Sequence, residues 1–544
     1  MNKKSIFILG GIIIIGAVLR LYKLDTLPPS LEWDEVATGY DAYSVLKTGR
    51  DQYGNFLPLT FRSIDDYKPP LYTYLTAVSI AVLGWNDFAV RFPAAVLGIL
   101  AILTTYIMVK EMFRREKFAL LAAIFLAISP WHVNFSRLAL ETNSTVFFTT
   151  GGVWAFLKGR KSGLFLIVSA FFFGLDLYLY HNARVFVPIL TLTLLGLYIR
   201  EIWHRKVYVL LAFIVSGIFV LRLIPIVTSV EGQMRFAGTS IFTPAVPLDI
   251  AATKSLYNRL RKFDTEYGLS IYAKLFDNQY VMWMLMMYRN YLTHFSPEFW
   301  IFTDDYERHH MPQMGILYFI DIVFLYTGAY FLTKDKNKKS LIVLLVWILV
   351  APIPASVTRD VPHALRSAIF MPAFQILIAA GVLGFGYILR KQKISSIVYT
   401  SLVIIGYFLT SSFFLHKFLF HFARETSSEW QYGRREAALY TDGIKDRYDR
   451  VLISTRLQQP HLFWLYYLKY DPARYLNGGG TVSGSWEEQR NKFDKYEFKT
   501  FDYTAMQDGR TLFVGLPTEF PSGVSRLKTI NYLDGKEAIW IVEG

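Results

Sequence analysis

The chain has 544 residues, 53% of them hydrophobic and 17% aromatic, a composition that excludes an ordinary soluble globular protein of this length. Its formal charge of +14 comes from 57 basic against 43 acidic residues; the basic ones stand in short connectors between apolar runs, so they read as topology signals and not as a nucleic-acid surface. Cysteine is absent, which excludes disulfides, thiolate metal sites and a cysteine nucleophile.

Apolar runs of roughly 20 residues, enough to cross about 30 Å of hydrocarbon, recur from the N-terminus to near residue 415. The first, 6–21 behind Lys3 and Lys4, has no small-residue cleavage site after it and reads as a retained membrane helix. With Lys3 and Lys4 in the cytoplasm this helix runs outward, and the polar, aromatic segment 23–86 becomes an outer loop. Inside it, 71–85 is short and carries Tyr72, Thr73, Tyr74 and Thr76, which predicts a surface-lying or re-entrant helix in place of a span. The connectors Arg114-Arg115-Glu116-Lys117, Lys158-Gly159-Arg160-Lys161, 200–206, 334–339 and Arg390-Lys391-Gln392-Lys393 then all fall inside. Counting 71–85 as a span would invert every one of them.

About eleven spans follow, near 5–22, 88–112, 118–135, 143–158, 163–180, 185–203, 207–226, 312–332, 340–354, 366–389 and 395–416. The expectation is a multi-pass, α-helical protein of the cell membrane, its N-terminus cytoplasmic, with outer loops 23–86, 227–311 and 355–365. Residues 1–420 form the membrane domain. Residues 421–544 turn ordinary in composition, and strand-like 450–454 and 511–516 with a hairpin at Leu533-Asp534-Gly535-Lys536 predict a small extracytoplasmic α/β domain.

Just past the first helix, Leu31-Glu32-Trp33-Asp34-Glu35 crowds three carboxylates beside a tryptophan at the height of the interfacial aromatic belt. Desolvation and like-charge crowding there raise at least one carboxyl pKa, which suits a general base or a metal ligand; the plain alternative is a solvated acidic loop. Glu141, in Ser136-Arg137-Leu138-Ala139-Leu140-Glu141, falls on the same face. So do Lys68, held in place by Pro69-Pro70, and Arg137, His181, Arg184, Arg359, His363 and Arg366, cations suited to a phosphate or to lipid headgroups. An ion conductor or transporter would instead place charges near the midplane, and Asp176 is the main candidate there.

This arrangement resembles the GT-C glycosyltransferases, in the branch of the protein O-mannosyltransferases and the lipid A aminoarabinose transferases. The resemblance rests on Trp33-Asp34-Glu35, Tyr67-Lys68-Pro69-Pro70-Leu71, Arg91-Phe92-Pro93-Ala94-Ala95, Ser129-Pro130 with Ser136-Arg137, Tyr180-His181-Asn182-Ala183-Arg184, Arg308-His309-His310-Met311-Pro312 and Pro362-His363-Ala364-Leu365-Arg366. It covers residues 1 to about 390. It implies transfer of a sugar from a polyprenyl-phosphate carrier to an acceptor glycolipid, polysaccharide or protein, usually with inversion. Asp34 would be the general base, with Glu35 and Glu141 as further catalytic carboxylates. Lys68, Arg137, Arg184, His363 and Arg366 would bind the donor phosphate, and Trp33, Tyr67 and His181 would line the cavity. Glu32, Asp34, Glu35 and Glu141 are the oxygen set available to a divalent cation. Glu141 stands where several relatives carry Asp, and the missing peptide-binding motifs of the oligosaccharide-transferring relatives favour a monosaccharide donor. The competing class is a transporter or flippase of lipid-linked sugars.

Overall fold

The computed structural model describes residues 2–63, 66–243, 248–302, 307–483 and 488–544. Its first apolar run is helix α1 (Lys3–Leu21). The loop after it carries α2 (Trp33–Thr48), a short antiparallel ribbon of β1 (Phe61–Ser63) and β2 (Asp66–Lys68), and α3 (Leu71–Leu83), a helix of 13 residues within the expected 71–85. Helices α4 (Asp87–Phe113), α5 (Glu116–Ile128), α6 (Pro130–Phe135), α7 (Ser144–Gly159), α8 (Leu164–Asp176), α9 (Ala183–Ile202) and α10 (Lys206–Thr228) continue the bundle. The expected loop 227–311 holds α11 (Val230–Thr239), α12 (Leu248–Glu266), α13 (Ser270–Phe276), α14 (Gln279–Thr293) and α15 (Pro297–Ile301), while its residues 244–247 and 303–306 lie outside the described ones. Helices α16 (Phe319–Thr333), α17 (Lys338–Val350), α18 (Ile353–Ser356), α19 (Ala373–Lys391) and α20 (Ser396–His416) complete the membrane part.

Among the described residues, six helical stretches are long and apolar enough to cross a bilayer, and the 46-residue stretch Ala183–Thr228 is long enough for two passes of about 30 Å. Their outer surfaces are apolar: Phe213 on α10 is 75% exposed and Phe408 on α20 is 69% exposed, as a lipid-facing surface requires. The basic connectors meet at one end of the bundle. Glu201 takes Arg160 at 2.9 Å and Lys339 at 2.6 Å, Glu111 takes Lys161 at 2.8 Å, and Asp335 takes Arg115 at 3.0 Å. Those pairs tie together four connectors that the charge pattern had assigned to one face.

The expected span 118–135 is broken, and the reason is Pro130. Proline brings no N–H to the Leu126 carbonyl, so the helix ends at Ile128 and restarts at Pro130. The freed carbonyls find other donors. Arg20 of α1, fully buried, gives Nη2 to Leu126 O at 3.2 Å and Nη1 to Ala127 O at 3.0 Å, and the Tyr318 hydroxyl takes Ile128 O at 2.6 Å. The spans expected from 312 and 366 likewise start later, at Phe319 and, behind Pro372, at Ala373. Between α16 and α19 the backbones touch at Gly328 and Gly381, where an added Cβ would collide with Leu377 O or Phe324 O.

Beyond the bundle lie β3 (Arg450–Ile453), β4 (Lys492–Phe493), β5 (Tyr496–Phe498), β6 (Thr511–Gly515), β7 (Arg526–Asn531) and β8 (Glu537–Glu543). They form one six-stranded sheet in the order β4-β5-β3-β6-β8-β7, with β3 parallel to β5 and β6 and the other pairs antiparallel. The hairpin expected at 533–536 joins β7 to β8, with Gly535 at φ 93° and Tyr532 N donating to Lys536 O at 2.8 Å. This α/β unit is not an independent appendage. Leu31, Val36 and Tyr40 of the first loop and Val90 of α4 share one buried apolar cluster with Trp464, Tyr466 and Ile539. At Gly39 the Tyr466 ring comes so close that a Cβ would lie 2.7 Å from it.

Candidate active site

The loops at the end of the bundle opposite the basic connectors enclose a cavity of about 190 Å³ lined by Asp34, Asp66, Lys68, Glu141, Tyr180, Arg235, Arg308, His309, His363 and Arg366. Seven separate stretches of chain supply them, around residues 34, 66–68, 141, 180, 235, 308–309 and 363–366. α2 starts at a capping box in which Glu35 accepts from the Glu32 backbone N–H at 3.1 Å, and this fixes the direction in which Asp34, in the first turn, projects. The ribbon places Lys68 opposite it: Lys68 Nζ lies 2.6 Å from Asp34 Oδ1, and the Ser63 hydroxyl donates to the same oxygen at 3.2 Å. Burial disfavours the Asp34 carboxylate, but the Lys68 ammonium outweighs it and Arg308 and Arg235 add to it, so the Asp34 pKa lies below its usual value. Lys68, itself 7% exposed, is raised, because Asp34, Glu141 and Glu32 together outweigh its burial.

Glu141 opens a short 3₁₀ turn and is 5% exposed. Burial raises its pKa and Lys68 only partly offsets this, and among the described residues its carboxylate makes no ion pair within 4 Å. Glu32 is 2% exposed and 3.4 Å from Arg308; burial first and Asp34 second push it up to about 8. Arg366 donates to Thr358 Oγ1 at 2.9 Å and to Arg359 O at 2.7 Å. The His363 ring lies 4.9 Å from that of His309.

Not every expected site residue reaches the cavity. Glu35 is fully buried, and Arg91 forks onto both of its oxygens at 2.9 and 2.8 Å while Ala139 N donates at 2.7 Å. Its lone pairs are spent on holding α2, α4 and the turn before Glu141 together. Arg137 is fully buried too, donating to Leu19 O, Tyr22 O, Lys23 O and Leu27 O, so it closes the end of α1 and is not a phosphate ligand in this geometry. Arg184 donates to Leu177 O at 3.3 Å and lies 2.9 Å from His181 Nδ1, while His181 Nε2 lies 3.2 Å from Tyr67 O, and neither side chain lines the cavity. Burial, then Arg235 and Arg184, holds the His181 pKa well below the usual value, so it brings no positive charge. The Arg308 guanidinium stacks 5.2 Å from the centre of the Trp33 ring.

The cation oxygen set is not assembled. Among the described residues no three His, Cys, Asp or Glu side chains converge on one point, and Arg91, Lys68 and Arg308 already face Glu35, Asp34 and Glu32. The cavity gains residues that the sequence pattern had not singled out. Arg235, on α11, pairs with Asp66, donates to Tyr180 Oη at 3.3 Å and stands over that ring. Burial works against its charge, but Asp66 and Tyr180 outweigh it and raise its pKa. No local motif marks Arg235, whereas Arg308 stands in the Arg308-His309-His310 run and was recoverable from it.

The fold is that of the GT-C glycosyltransferases. ArnT from Cupriavidus metallidurans, solved with undecaprenyl phosphate bound, superposes with a TM-score of 0.53 over 99% of this chain and 98% of that one at 11% identity. The oligosaccharyltransferase of Archaeoglobus fulgidus gives a TM-score of 0.50 over 85% of this chain and 63% of that one at 13% identity. The family model described as dolichyl-phosphate-mannose-protein mannosyltransferase matches residues 67–224. Dolichyl-phosphooligosaccharide-protein glycotransferase 2 of Archaeoglobus fulgidus is 25% identical over 295 residues, 52% of this chain and 46% of its own length. Dolichyl-phosphate-mannose--protein mannosyltransferase 5 of Saccharomyces cerevisiae is 28% identical over 182 residues, 30% of this chain and 22% of its own. The chain thus spans less than half the length of these curated relatives.

Proposed function

We propose that this chain transfers a monosaccharide from a polyprenyl-phosphate donor to a hydroxyl or phosphate of an acceptor on the extracytoplasmic face of the cell membrane, with inversion at the anomeric carbon. The observation that carries this reading is the Asp34–Lys68 pair, 2.6 Å apart in a cavity otherwise rich in arginine, at one end of a GT-C bundle. Asp34 is the general base that takes the acceptor's proton. Lys68, Arg235 and Arg366 neutralise the lipid phosphate as it departs, and Glu141, without an ion-pair partner among the described residues, orients the acceptor or stabilises charge developing on the sugar ring.

Lys68 faces both partners. A donor phosphate competes with Asp34 for the ammonium, and the share of Lys68 that it withdraws raises the basicity of Asp34 when the donor is in place. The volume of about 190 Å³, below the roughly 300–1,000 Å³ of drug-sized ligand sites, supports one sugar residue over an oligosaccharide. Undecaprenyl phosphate in the ArnT structure supports a polyprenyl carrier. The purified protein, given a radiolabelled polyprenyl-phosphate sugar and envelope fractions from a deletion strain, is expected to attach label covalently to an acceptor. Label that only crosses the vesicle membrane, still on its lipid, would favour the transporter reading.

A further inference from the structure

Between Arg235 and Arg308 the chain carries four helices, α12 to α15, that the cavity does not use, and the first three form an arm. On α12, Leu256, Leu260 and Phe263 are 44%, 46% and 55% exposed, and Tyr267, one residue past its end with its N–H on Phe263 O, is 69% exposed. Steps of four, three and four residues put them in a single stripe along one face of the helix. Lys254, Arg261 and Lys262 stand on the other side, and over 254–266 four basic residues oppose two acidic ones. The apolar surface runs on through Ile271 of α13 and Tyr280 of α14, each 69% exposed.

The far end of this arm is fastened at the level where a membrane helix stops. Tyr291 Oη donates to Leu349 O, in the last turn of α17, at 2.9 Å, and Asn290 Nδ2 donates to Ser356 O at 3.1 Å. Its near end leaves α10 through α11. An apolar stripe of this length facing water would be an aggregation surface; at the boundary of acyl chains and headgroups, with a basic opposite face, it is a membrane-binding one.

We infer that α12 to α14 form an interfacial arm lying along one leaflet, its apolar stripe in the acyl layer and Lys254, Arg261 and Lys262 binding anionic lipid headgroups. This surface is independent of the transferase reading. Each basic residue near such a leaflet contributes attraction that falls off within a Debye length.

The absence of cysteine allows single labels on the 544-residue chain. Leu260→Cys and Thr265→Cys variants, carrying an environment-sensitive fluorophore, are reconstituted in nanodiscs of phosphatidylcholine with or without phosphatidylglycerol. The label at position 260 is expected to shift to the blue and lose intensity to doxyl-labelled lipid, more so with phosphatidylglycerol, while the label at 265 does neither. Adding Lys254→Glu, Arg261→Glu and Lys262→Glu is expected to abolish the phosphatidylglycerol dependence. A blue shift at 260 without quenching by doxyl lipid would place the stripe against a protein, partner or second copy, and overturn the inference; so would equal quenching at both positions or indifference to lipid charge.

Discussion

Asp34 and Glu35 are adjacent in the chain and end in different environments, because successive residues of a helix point about 100° apart. One faces the cavity and Lys68; the other closes a buried bidentate pair with Arg91. Replacing Glu35 by Ala leaves the Arg91 guanidinium buried without its counter-charge, a loss of about 3–5 kcal/mol. The expected outcome is a lower unfolding temperature in detergent and less folded protein, with activity falling in step, and not a folded protein deficient in turnover. For Asp34 the prediction is one of pH dependence. Its pKa is depressed by Lys68, so the carboxylate persists to lower pH than that of an ordinary Asp, and base activity is lost below the pH at which an ordinary Asp protonates. Lys68→Met removes the main opposing charge, so the acid limb of kcat/KM moves to higher pH and the donor binds more weakly. An unmoved limb in the pH–rate profile would separate Lys68 from Asp34.

At the scale of elements, hydropathy and charge made the bundle legible: most spans expected from apolar runs coincide with helices, and the surface assignment of 71–85 kept the connectors together. What the runs concealed was the break at Pro130, since the donors for its freed carbonyls, Arg20 and Tyr318, lie more than a hundred residues away on either side. The same distance hid the role of Arg137. Arg235 stayed unread because it sits in a segment of mixed polarity, on α11, and only the pairing with Asp66 of the first loop gives it a place. The contact of α16 with α19 is a test at this scale. Gly381→Val forces a side chain against the Phe324 carbonyl, and overpacking of this kind costs about 1–3 kcal/mol. A reduced thermal midpoint is the expected result, with Gly381→Ala the milder of the two.

For the whole molecule, the sheet beyond residue 420 and the first loop bury one another, so the domain boundary seen in composition is not a boundary in packing. Truncation after 420 is expected to yield aggregated protein by size-exclusion chromatography, because it exposes Leu31, Val36 and Tyr40 to water. Membrane bundle, first loop and outer sheet thus act as one support for a cavity whose central group is Asp34. The most direct test of that role is sugar transfer by Asp34→Asn, measured beside donor binding in the same preparation. The expected result is retained donor binding with transfer reduced about 10²–10⁴-fold, the usual worth of a general base. Transfer at the wild-type rate by this variant would contradict the assignment of Asp34 as the base.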